Sequence, residues 1–221
     1  MTPRGVGYEA VERRAWEFAL RLLKCTAIAA VALFVLFAIA VPSFHCPPRC
    51  NANESAAIAT LKNLSSAQQA FRDAHTLDRD HDGVGEFGWF ADLTNCDPPQ
   101  LSKSFRSPRN GTIIRSGYRF RIWLPAATGG WVHGGEGTHS AVDAAERQFR
   151  IYAWPDSPAS GKRAFFIDEH GDVLAAPNAE HRYAGASCPS PDAAMPRNSV
   201  PEALGYENHT GMDGNHWVVV S

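Results

Sequence analysis

TIIRSGYRFRIWLP, residues 112–125, decides the fold class of this 221-residue chain. Tyr118, Phe120, Ile122 and Leu124 alternate there with Arg119, Arg121 and Trp123, the period of a strand with one apolar face. Three later segments supply it with neighbours: Gln148–Trp154 (QFRIYAW), Arg163–Asp168 (RAFFID) and Asp172–Ala175 (DVLA). Glu169-His170-Gly171-Asp172 joins the last two as a hairpin turn with Gly at a permissive position. Between the first two strands, Gly129–Glu146 (with GGWVHGGEG, then AVDAAE) reads as a loop with one helical turn at Val142–Arg147.

Upstream, Asn51 to about His75 reads as an amphipathic helix that covers this sheet. Ile58, Leu61, Leu64, Ala67, Phe71 and Ala74 form its apolar stripe, and Lys62, Gln69, Arg72 and Asp73 its wet side. Asn51 with Glu54 three residues on has the spacing of a capping box. Further upstream, residues 25–41 (CTAIAAVALFVLFAIAV) are seventeen apolar or neutral residues without a charge, extended by Pro42, Ser43 and Phe44. As a helix the run measures roughly 25–30 Å, the short end of a membrane span. Arg13, Arg14, Arg21 and Lys24 precede it, which predicts a cytoplasmic N-terminus and an exported C-terminal part. A signal peptide cleaved after Ala38-Ile39-Ala40 is the alternative, disfavoured by the length of the apolar run.

Beyond residue 24 the chain carries 16 Lys/Arg against 20 Asp/Glu, a balance that argues against nucleic-acid binding. Outside the apolar run lie Cys46, Cys50, Cys96 and Cys188, an even number that predicts two disulfides with three possible pairings. Neither a CxxC unit nor zinc-like spacing is present.

The sharpest chemical signal is Asp78-Arg79-Asp80-His81-Asp82-Gly83-Val84-Gly85-Glu86. Carboxylates at relative positions 1, 3 and 5 followed by Gly match the front half of a calcium loop. The expected ligands are Asp78, Asp80, Asp82, the Val84 carbonyl and Glu86, and an all-oxygen set favours calcium over zinc or copper. Trp89 stands where an EF-hand has its bidentate Glu, so the loop is an isolated one. An acidic turn capping its own backbone is the plainer alternative.

Taken together, Pro42 closing an apolar helix, ANESAAIATLKNLSSAQQAF at 52–71 and DRDHDGVGEFGWFADL at 78–93 resemble the type IV pilin and type II secretion pseudopilin superfamily. GYRFRIWLP at 117–125 and AERQFRIYAWPDSPASGKRAFFIDEHGDVLAAPN at 145–178 resemble the sheet region of such proteins, notably those of planctomycetes. The resemblance implies a filament subunit whose apolar helix packs in a fibre core with its head outside. The chain departs from it in lacking a Gly–Phe processing junction and the Glu that follows one, and in inserting Cys46-Pro47-Pro48-Arg49-Cys50.

The predicted architecture is therefore α+β and pilin-like: an N-terminal transmembrane helix, then an amphipathic helix packed on a small antiparallel sheet. Its divisions are a basic segment at 1–24, an anchor at 25–44, a Cys/Pro joint at 45–50, a head at 51–183 and an irregular tail at 184–221. The predicted function is a non-enzymatic structural subunit of an envelope filament or membrane-anchored assembly, at the bacterial inner membrane with its head periplasmic or extracellular. Its predicted partners are membrane lipid and the transmembrane helices of other subunits or of its own copies. Two alternatives carry named residues. A binding module would use Trp131, Trp89 and Phe90 as an aromatic contact surface. A metal-dependent enzyme would use His133 and His139 with Asp143 or Glu146, but no GxSxG, HExxH or phosphate-binding loop accompanies them.

Overall fold

The computed structural model describes Trp16 and residues 48–134, 140–179, 183–197 and 207–221. The chain divides into units at Met1–His45 and Cys46–Ser221, and the fold described here is that of the second.

Helix α1 (Pro48–Asp73) opens it. Pro is tolerated in a first turn, where its missing N–H has no partner to lose, so the helix begins upstream of Asn51. Glu54 consequently sits inside the helix, and its carboxylate reaches across to the sheet instead of capping. Its Oε1 accepts from the amides of Lys162 and Arg163 at 2.9 and 3.3 Å, and Oε2 from Arg163 Nε at 2.8 Å. Leu61, Leu64 and Phe71 are buried against the sheet, each contributing roughly 1.5–3 kcal/mol of burial. Two short helices follow, α2 (Phe90–Asn95) and α3 (Val142–Ala145), with a 3₁₀ turn at Lys103–Phe105.

The strands are β1 (Thr112–Arg115), β2 (Tyr118–Pro125), β3 (Trp131–His133), β4 (Arg150–Pro155), β5 (Ala164–Asp168), β6 (Leu174–Ala176), β7 (His209–Thr210) and β8 (His216–Val219). They form one antiparallel sheet in the order β1-β2-β4-β5-β6-β8-β7. Strand β3 shares with β1 the edge of β2 that faces away from β4, pairing Trp123 with His133 where β1 pairs Arg121 with Thr112.

Both faces of this sheet are covered. One core joins α1 to Phe120, Ile122, Ile151, Ala153, Phe165, Ile167 and Ala175. The opposite phase of the same strands, Tyr152, Trp154, Phe166, Leu174 and Trp217, packs under Tyr183, Ala193 and Ala194. Residues 183–197 thus form a second covering layer, held by side-chain bonds that replace regular backbone pairing. Tyr152 Oη donates to the Pro191 carbonyl at 3.1 Å and accepts the Ala194 amide at 3.0 Å. Trp154 Nε1 donates to Gly185 O at 2.9 Å, and Tyr183 Oη to Asp213 Oδ2 at 2.7 Å.

Three expectations are corrected by this architecture. The described residues form mostly an eight-stranded antiparallel sheet with few and mainly short helices, not the expected transmembrane helix followed by an amphipathic helix on a small pilin-like sheet. No helix among the described residues is long and apolar enough to cross a membrane, because α1 carries only one apolar stripe. The run at 25–44 lies outside the described residues, so an inner-membrane anchor has no support in the structure. No described cysteine is bridged either. Cys50 donates to Ala159 O at 3.2 Å and Cys188 accepts Arg121 NH1 at 3.0 Å, while Cys96 turns back on its own helix end, toward Leu93 O. Cys46 is outside the described residues.

Candidate functional site: an acidic cluster between two loops

The end of α1 sets the course of the acidic loop. His75 takes a positive φ of 48° and its amide donates to Arg72 O at 2.9 Å, closing the helix and turning the chain. The loop is then pinned at its base. Glu86 N donates to Leu77 O at 2.9 Å, and Phe87 N donates to Ala145 O at 2.8 Å, which draws the loop against α3. Gly85 packs so tightly on the helix end that a Cβ there would lie 2.0 Å from Arg72 O. Phe87 completes the seam edge-on to Phe149, ring centroids 4.6 Å apart.

Within the loop, the carboxylates fold back on backbone amides. Asp78 accepts from His81 N at 2.7 Å and Gly83 N at 3.1 Å, and Asp82 accepts from Val84 N at 2.8 Å. Gly83, with φ 87°, supplies the left-handed turn. Burial opposes ionisation of Asp78, but the Gly83 and His81 amides outweigh it and hold the carboxyl below its usual range. Asp78, Asp80 and Asp82 each place a carboxylate oxygen within 4.8 Å of the others.

Of the remaining expected ligands, Val84 stands at the exposed loop tip. Glu86 is fully buried and does not belong to this carboxylate trio. Its Oε1 accepts the Arg79 amide at 2.9 Å, and its Oε2 lies 2.9 Å from the Arg79 guanidinium without hydrogen-bond alignment. Burial pushes this carboxyl up, partly offset by Arg79. The role found for Glu86 is to tie the loop's base.

Two carboxylates from another segment take its place. Asp143 and Glu146, three residues apart around the turn of α3, present oxygens within 4.8 Å of one another and of Asp80. AVDAAE showed this pairing in its spacing, since residues three apart share a helical face. What the spacing lacked was the partner, which the Phe87–Ala145 bond, the Phe87–Phe149 contact and the Arg79–Ser140 bond bring alongside. Burial raises the Glu146 carboxyl, and Asp82, Asp80 and Asp143 raise it further.

Of the alternative readings' described residues, Trp89 and Phe90 share one cleft, whereas His133 joins no ligand-type cluster with Asp143 or Glu146. His133 lies on β3 with its ring edge-on to Trp123, centroids 5.0 Å apart, and burial lowers its basicity. His139 is outside the described residues. Among the described residues the third ligand-type cluster is Asp168, Glu169 and His170, which also omits His133. Trp131 is capped by the Arg150 guanidinium 3.9 Å above its ring, and Phe90 is buried. Trp89 and Phe90 line an open cleft of about 540 Å³ with Ala91, Pro108 and Ile122. No family model, curated protein or solved structure matches the chain.

Proposed function

We propose that the chain is a non-enzymatic structural subunit, related in design to pilins and pseudopilins, whose head carries a calcium-holding loop. The observation that best supports this is how the chain enters the head. Helix α1, 26 residues long, runs into the sheet with one face buried and the other wet. Its first turns are fixed by Glu54 to Arg163 and by Asn53 Nδ2 to Ser160 O at 2.9 Å. These ties fix where the upstream chain enters the domain, which suits a subunit held in an assembly. Calcium among Asp78, Asp80 and Asp82 stiffens the turn at the far end of the same helix.

The test is a photo-crosslinking residue at Lys62 or Ser66, both exposed on α1, in the full chain expressed in the cells that make it. Adducts at whole multiples of the subunit mass are expected. Recovery of the chain solely as an uncrosslinked monomer refutes the structural reading.

A further inference from the structure

We infer that the cation site is composite: a divalent cation of the calcium class is held by Asp80 of the acidic loop together with Asp143 and Glu146 of α3, latching the two segments together. The inference rests on the calcium reading above and changes its ligand set, from one self-contained loop to a bridge between two loops.

An acidic cluster alone does not make a site, and Glu146 supplies the independent observation. The residue is 8% exposed, and its Oε1 is buried with no hydrogen-bond partner. A buried carboxylate oxygen left without a donor is costly, and it belongs to a carboxyl that has other carboxylates close by. Asp80 and Asp143 stand within 4.8 Å, and Asp82 adds its own repulsion. The Arg79 guanidinium, the basic group of the loop, is directed to Glu86 and to Ser140 Oγ at 2.8 Å. Arg147 lowers the Glu146 carboxyl by less than the three acids raise it.

The spacing fits a hard cation of calcium size. Opposite ligands on a shell of about 2.4 Å radius are about 4.8 Å apart, so oxygens confined within that distance can share one ion. Asp80 belongs to both carboxylate trios, so a cation held by Asp143 and Glu146 would be shared with the acidic loop through it. Magnesium, with a tighter octahedron and retained waters, fits a two-segment set of mixed exposure less well.

The experiment is calcium chloride titration of the full chain, followed by calorimetry and by thermal melting with and without chelator. The chains compared are the parent, Glu146→Gln, Asp143→Asn and Asp82→Asn. Glu146→Gln is expected to weaken calcium binding at least about tenfold through loss of a charged ligand. In chelator the same variant is expected to melt at or above the parent's temperature, because a neutral amide replaces an orphaned charge. That inversion of sign does not arise from a merely structural role. Asp143→Asn, an exposed position, gives the same loss of affinity if Glu146→Gln does not fold. A parent that binds calcium while both α3 variants bind it equally well, with Asp82→Asn alone impaired, overturns the composite site and leaves the loop reading standing. A parent whose melting is indifferent to calcium overturns both.

Discussion

Substituting Tyr152 by Phe removes one oxygen from the interior and asks whether the C-terminal layer belongs to the cooperative fold. Tyr152 is fully buried, and its hydroxyl makes two bonds to that layer, to Pro191 O at 3.1 Å and from Ala194 N at 3.0 Å. The two partners fare differently when it goes. The Pro191 carbonyl keeps Arg150 NH1 at 2.9 Å, whereas the buried Ala194 amide is stranded. A stranded buried amide costs about 1–3 kcal/mol, so the expected loss is about 2 kcal/mol. For a unit of this size that lowers Tm by about 4–8 °C. Urea denaturation of the full chain should show a lower midpoint at unchanged slope. A loss under about 0.5 kcal/mol means that residues 183–197 open independently of the sheet, and the two-faced core described above is wrong.

Three further predictions test individual ties. Glu86→Gln should change stability by no more than about 1 kcal/mol, since burial raises this carboxyl despite Arg79, so its charge is not what holds the loop. Glu86→Ala, which strands the Arg79 amide and leaves the guanidinium only Ser140 Oγ, should cost about 1–3 kcal/mol, and a glutamine variant as damaged as the alanine one refutes the reasoning. Glu54→Ala should cost about 3 kcal/mol in urea denaturation by stranding two amides and Arg163 Nε, with Glu54→Gln recovering part of it. Stability should also fall as pH rises from 6.5 through about 9, the value to which the Asp168 carboxylate holds His170, because the folded state binds that proton more tightly than the unfolded one. Glu169 and Asp172 also raise it, and the ring is 45% exposed, so the pH effect is held to about 1 kcal/mol; Asp168→Asn should flatten urea midpoints over that range.

What the sequence made legible was one face of the sheet. In β2 the four apolar residues of one phase are all buried under α1, while Arg119, Arg121 and Trp123 keep partial exposure, so the pattern is clear. In β4 and β5 both phases are buried, and Tyr152, Trp154 and Phe166 interleave with Ile151, Ala153 and Phe165. Strands covered on both sides lose their alternation, and this was the available sign that a second layer existed. The layer itself has little periodicity. It buries Tyr183, Ala193 and Ala194 on irregular backbone fixed by Asn178, Tyr152 and Asp213, and such bonds leave no spacing to read. Glu54 misled for a related reason, since a Glu three residues after Asn51 has a local explanation until the helix is seen to begin at Pro48. In the acidic loop, sequence order brought Asp78, Asp80 and Asp82 together but could not separate Glu86, which binds inward, from Glu146, which arrives from elsewhere.

Two of the three ligand-type clusters among the described residues contrast in a way that bears on the cation. Asp168, Glu169 and His170 lie together at the β5–β6 turn, and there the negative charge is answered from within. His170 Nδ1 stands 3.1 Å from Asp168 Oδ1, its basicity is raised to about 9, and Gln69 reaches the adjacent backbone. That cluster is complete as it stands. Asp80, Asp143 and Glu146 have the same number of ligand-type groups within the same distance but include no cation among them, and one of their oxygens is buried without a donor. Repulsion of this kind would separate two loops joined only by their own backbone. Yet the Phe87–Ala145 bond and the Phe87–Phe149 contact hold them together immediately beside it. Packing that brings these carboxylates together, while Arg79 is directed to Glu86, is the arrangement that the proposed composite cation site requires.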